Sequence, residues 1–169
     1  MLRHNQKGAA LIEFAIVLPF LLVLVFGMIE FGLIAYNKQV ITNASREGAR
    51  WAIGQPSPSK VPPEPPRNTD SVIAVVTDYW NKNKLISFES GTPIFEIKII
   101  DMTTTADLIT TTGQNVCALA TPPDKDIQVQ VTYPYKFLVF DSIVQLVGGS
   151  QSDTISIYGS TIMRCEAPP

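Results

Sequence analysis

Histidine is nearly absent from this chain of 169 residues, and its one copy, His4, lies close to the start. That excludes a Ser-His-Asp triad, a Cys-His pair and a histidine-rich metal site in the rest of the chain. Cysteine is almost as scarce. Cys117 and Cys165 are the only two, too few for a zinc site and not spaced as CxxC. They are either two separate thiols or one disulfide, and the expectation is a disulfide formed in an oxidising compartment. Such a bridge contributes roughly 4 kcal/mol in the loop-entropy description. No Gly-rich phosphate loop occurs. Asp124-Lys-Asp126 lacks the EF-hand pattern and reads as a polar turn. Positive charge is thin in the second part: from Asp70 onward there are eleven Asp/Glu against six Lys/Arg. Nucleic acid meets repulsion there, because its binding needs a basic face. The reading is of a chain that is not an enzyme and carries no cofactor and no metal.

What the chain has in quantity is apolar sequence, 46 % of its residues. A basic stub ending at Lys7-Gly8 precedes an apolar run from Ala9 to Tyr36, interrupted by two charges, Glu13 and Glu30. As a helix the run measures roughly 42 Å, more than the ~30 Å hydrocarbon core of a bilayer. Helix entry near Ala9 puts Glu13 ~6 Å deep and Glu30 ~32 Å along, close to the far interface. A carboxylate inside lipid is costly, so Glu13 asks for a partner on a neighbouring subunit or for the near interface. Glu30 is either an interfacial carboxylate at the exit or a second polar contact between packed helices. Pro19 removes a hydrogen bond and favours a kink or local unwinding, which membrane helices tolerate. The run is too long for a signal-peptide core, and no A-x-A box follows. Basic residues flank both ends, so the positive-inside count leaves orientation open.

Gly8-Ala-Ala-Leu-Ile-Glu13-Phe-Ala-Ile-Val-Leu-Pro19 resembles the N-terminus of a type IV prepilin of the Tad/Flp class. Leu18-Pro-Phe-Leu-Leu22, Gly27-Met-Ile-Glu-Phe-Gly32 and Asn43-Ala-Ser-Arg-Glu-Gly-Ala-Arg50 extend the likeness to the TadE-like family of pilus-assembly proteins. The resemblance covers Gly8 to Arg50. It implies cleavage between Gly8 and Ala9 by a prepilin peptidase. Glu13 then pairs with the new α-ammonium of a neighbour, and Pro19 and Glu30 take part in helix packing. Arg46, Glu47, Gly48 and Arg50 form the family motif, either a solvated helix turn or a contact with the fold or a partner. Phe14 stands where major Flp pilins usually carry tyrosine, and the chain is longer than they are. Both features imply a minor, pilin-like member. Ile155 to Glu166 is reminiscent of the last strand of TadE-like proteins.

Beyond the apolar run, Val40, Ile41, Ala44, Gly48 and Trp51 or Ala52 form an apolar stripe at helical spacing, so the helix continues to Gly54. Six prolines between Pro56 and Pro66 preclude helix and favour an extended spacer. Asn68 or Asp70 caps a helix through about Asn83, with Val72, Ile73, Val76, Tyr79 and Trp80 on one face. Leu85–Glu89 is a short strand candidate. Phe95, Ile97 and Ile99 alternate with polar residues, as do Ile127, Val129, Val131 and Tyr133. A last strand runs from Ile155 to about Arg164. Residues 101–124 read as a long irregular loop. Phe137 to Val147 is apolar: a short helix, a buried crossover or an exposed patch that docks a partner.

The expected fold is α+β: a long N-terminal transmembrane and stalk helix, then a small head with one helix and an antiparallel sheet of three or four strands. The expected divisions are a leader (1–8), a transmembrane helix (9–36), a stalk (37–54), a Pro-rich linker (55–67) and a head (68–169). The resemblance implies a bacterial inner-membrane protein, single-pass, with the N-terminus cytoplasmic, the head periplasmic, and the pilus or cell surface as its site after assembly. It implies a TadE-like minor pilin or pseudopilin serving a Tad/Flp-type pilus in adhesion and surface attachment. Its partners are then the prepilin peptidase, other pilins or pseudopilins, Tad membrane platform proteins and the lipid bilayer. The competing reading is an unprocessed bitopic membrane protein whose head binds a partner.

Overall fold

The computed structural model describes residues 6–54, 67–86, 95–108, 115–120, 125–137 and 154–165. The element order is α1 (Gln6–Ile53), α2 (Thr69–Asn83), β1 (Glu96–Asp101), α3 (Val116–Leu119), β2 (Asp126–Lys136) and β3 (Thr154–Arg164). The α+β expectation holds. α1 is one helix of 48 residues and is continuous through Pro19, without the local unwinding that proline favours. It stops at Gly54, whose amide still donates to the Arg50 carbonyl at 3.3 Å. α2 begins where the sequence puts its cap: the Asn68 side chain accepts from the Ser71 amide at 2.9 Å. It ends at Lys84, which turns the chain in the left-handed conformation with φ 44°.

The sheet has three strands in the order β1-β2-β3, antiparallel throughout. Period-2 alternation makes it one-sided. Ile127, Val129, Val131, Tyr133 and Tyr135 of β2 are all buried, and the residues between them are half-covered. β2 is the central strand yet contains Pro134. The register explains this. Among the described residues β1 pairs only as far as Glu96↔Thr132, so there Pro134 has only β3 beside it, and its missing N–H costs no described ladder bond.

Both long helices cover the buried face. Val72 and Val76 of α2 meet Ile41, Ala44, Ala49 and Ala52 of α1 in a single core with the strands. The predicted stripe on α1 is the buried one: Val40, Ile41, Ala44, Gly48 and Ala52 are buried and Trp51 is half-buried. Small residues bring the layers close. A Cβ on Gly48 would lie 2.5 Å from Val76 Cγ2 and 3.4 Å from Val129 Cγ1. Trp80, Phe95 and Tyr133 stack in sequence, with ring centroids 3.6 and 5.2 Å apart.

The connection after β1 differs from the expected irregular loop. Asp101 is buried and organises it, its carboxylate accepting from the Thr103 amide at 2.9 Å and the Thr104 hydroxyl at 2.8 Å. This is the side-chain-to-backbone bonding by which aspartate builds turns. Further on, Cys117 sits on the short helix α3, capped by Asn115. Leu85 and Ile86 are not in a strand, and the rest of that candidate lies outside the described residues. So do most of the Pro-rich linker and Leu138 to Val147 of the apolar segment.

The contacts give the head two ends. α2 runs antiparallel to α1: Val76 lies beside Gly48, and the Asn83 carbonyl accepts from the Tyr36 hydroxyl at 2.8 Å. β2 also runs antiparallel to α1, from Val129 beside Gly48 to Tyr135 beside Glu30. β3 returns parallel to α1, with Gly159 against Thr42 and Thr161 against Ser45. The Glu30 end is therefore where β2 leaves and β3 enters. The Ala52 end carries α3, β1's exit and the start of β2.

Candidate functional site

Two kinds of surface share α1. From Leu11 to Ile29 its side chains are exposed except for Leu18 and Gly27, which are half-covered. These are large apolar groups such as Phe20 and Met28, and the helix is long and apolar enough to cross a membrane. From Glu30 the head covers one face. Leu33 and Ile34 pack against the core. The buried Asn37 makes two bonds to Ile86, donating to its carbonyl at 2.8 Å and accepting from its amide at 3.1 Å. The bare stretch from Ala10 to Ile29 is ~20 residues, roughly 30 Å of helix, which matches the ~30 Å hydrocarbon thickness.

The predicted site residues fall on different parts of this plan. Gly8 is exposed with nothing near it, and Glu13 is exposed on the bare helix. Pro19 is exposed there too. Glu30 is elsewhere in kind. It is only 2 % exposed, and its Oε1 accepts from the Tyr135 hydroxyl at 2.6 Å. The head of the same chain holds it, where the sequence left open an interfacial carboxylate or a helix–helix contact. Within the Arg46–Arg50 motif the residues divide by face. Gly48 and Ala49 are buried against the head, whereas Arg46, Glu47 and Arg50 are exposed. Glu47 and Arg50 form a loose pair at 3.8 Å. Such a pair adds little stability. Cys117 and Cys165 are bonded, with Cα atoms 5.6 Å apart. Among the described residues no group of His, Cys, Asp or Glu is placed to hold a metal ion.

Sequence reasoning missed Tyr135, Asn37 and Gly159. Tyr135 continues the β2 alternation by one further step past Pro134, and the proline hid it. Burial raises the Tyr135 hydroxyl above the usual tyrosine range, and its bond to Glu30 adds to the shift. It is a neutral donor at physiological pH. A raised folded value means the proton is held more tightly after folding. Stability is then intact below the ordinary tyrosine pKa of about 10 and falls as pH rises above it.

This bond gives a direct expectation. Tyr135→Phe removes a donor from a buried carboxylate and should lower head stability by about 2 kcal/mol. Glu30→Gln should cost less, because its amide carbonyl still accepts the bond. Chemical unfolding of the full chain in detergent measures both, and equal midpoints for Tyr135→Phe and the parent would remove the bond from any structural role.

No curated protein and no solved structure is significantly similar to the chain. Residues 8–50, the bare helix and its motif turn, match the model of a family described as TadE-like protein; over this stretch the chain is similar to that family, which supports a protein associated with Tad-type pili.

Proposed function

We propose that this chain is a TadE-like minor pilin or pseudopilin, cut after Gly8 and assembled with other pilin-like subunits and the Tad membrane platform into an adhesive Tad/Flp-type pilus. The observation that carries the reading is the coincidence of the family match with the bare half of α1 and the motif turn that follows it. Gly8 sits at the start of that half, exposed and open to a peptidase. Cleavage leaves an α-ammonium on Ala9 four residues from Glu13. A neighbour's Glu13 pairing with that ammonium in lipid fixes register as well as adding energy. The role is structural. The Cys117–Cys165 bond supports a head on the oxidising side of the membrane and a cytoplasmic N-terminus.

The test is N-terminal sequencing and intact mass of the protein from membranes with and without prepilin peptidase. The expected product begins at Ala9 only when the peptidase is present, and Gly8→Val abolishes it. A chain that keeps Met1 in both would leave an unprocessed, single-pass membrane protein whose head binds a partner.

A further inference from the structure

We propose that the Glu30 end of the head is a second membrane contact, resting on the same bilayer that α1 crosses. The inference rests on the reading of α1 as a membrane helix. The bare apolar helix ends at Ile29, and the head's cover begins one residue later at Glu30. No length of stalk separates the two, so a bilayer surrounding Ala10–Ile29 meets the underside of the head directly.

That underside has the make-up of an interfacial surface. Ile155 belongs by register to the buried face of the sheet, paired with Tyr135, yet it is 38 % exposed. Phe137, two residues past the Tyr135 that Ile155 pairs with, is half-buried and edge-on to Tyr135 with centroids 6.0 Å apart. The chain leaves this end at Phe137 and returns at Thr154, because Lys136 pairs with Thr154. The intervening sequence, outside the described residues, opens with Leu138, Val139 and Phe140.

Two lysines lie toward this end of the head. Lys136 lies at the level of Glu30, and Lys84 follows the Asn83 carbonyl that bonds Tyr36. Among the described residues neither has an ion-pair partner. Lys82 is held by Asp78 at 2.5 Å, and Lys38 lies over the Tyr158 ring. Long lysine side chains at this height reach phosphate headgroups, as they do beside membrane helices generally. The occupant is therefore the lipid surface, its acyl border against Ile155 and Phe137 and its phosphates against Lys84 and Lys136.

The experiment places nitroxide labels on the full chain in phosphatidylethanolamine/phosphatidylglycerol nanodiscs. The labelled variants are Phe26→Cys, Ile155→Cys and Ser160→Cys, each with the native disulfide verified by mass. Depth is read from the ratio of collisions with oxygen to collisions with a water-soluble nickel chelate. The expected ratio at position 155 is several-fold above that at 160 and below that at 26. Lys84→Glu with Lys136→Glu should move the 155 ratio toward the 160 value. Equal ratios at 155 and 160, with 26 in lipid, would overturn the surface contact and leave the membrane helix intact. Position 26 in water would overturn the membrane reading itself.

Discussion

Replacing Cys117 and Cys165 together by serine should lower the stability of the head by about 4 kcal/mol, within the range for removing a native disulfide from a small domain. The position of the bridge argues for the full effect. α3 has four residues, too few to hold a helix by itself. It is fixed by its surroundings: the Val116 amide donates to the Arg67 carbonyl at 3.0 Å, and the Cys117 sulfur lies 3.5 Å from the Ala52 carbonyl. On the other side, the Cys165 amide donates to the Lys125 carbonyl at 2.9 Å, at the start of β2. One covalent bond thus joins the end of α1, the entry to α2 and the last strand. Small domains are stable by about 5–15 kcal/mol, so this loss is a large share. Thermal unfolding of the double-serine chain in detergent, beside the parent with and without reductant, measures it. An unchanged midpoint would mean the far end is held by packing alone.

The contrast between what was and was not legible in the sequence has a physical cause. Local signals were enough for α1, α2 and the strands. The Val72–Val76 face, the Asn68 cap and the Ile127–Tyr133 alternation each state a period or a terminus within a few residues. The stretch after β1 was read as irregular because its order comes from one side chain, Asp101, and from a disulfide partner far along the chain. No periodicity reports either. Glu30 shows the same limit from the other direction. Its place in an apolar run reveals that it needs a polar neighbour, but not which one. Tyr135 supplies that neighbour across a sequence separation of 105. The bare helix that carries Gly8, Glu13 and Pro19 was legible from its apolar run. The place where the head closes on the helix was not.

Gly159→Ala should destabilise the union of head and helix more than any other single methyl addition described here. A Cβ at this position would lie 2.8 Å from the Thr42 amide nitrogen, 2.9 Å from its Cα and 3.0 Å from the Ile41 carbonyl carbon. All three are backbone atoms of a continuous helix, so no side chain can rotate away, and α1 must shift from β3. Overpacking of this kind costs about 3 kcal/mol. The shift also strains contacts on either side of it: the Ser45–Thr161 hydroxyl bond at 2.9 Å and the Lys38 contact with Tyr158. Gly48→Ala is the internal comparison. Its Cβ meets Val76 Cγ2, a side-chain methyl, and alanine recovers about 1 kcal/mol of helix propensity. Gly48→Ala should therefore cost clearly less than Gly159→Ala, although its nominal contact is shorter. Unfolding midpoints of the two variants test the order, and limited proteolysis of the Gly159→Ala chain should release the head more readily. A reversed order would mean that the β3–helix approach is looser than the glycine implies. If the order holds, the sheet keeps its glycine because it presses on the backbone of a continuous helix whose N-terminal half is long and apolar enough to cross a membrane.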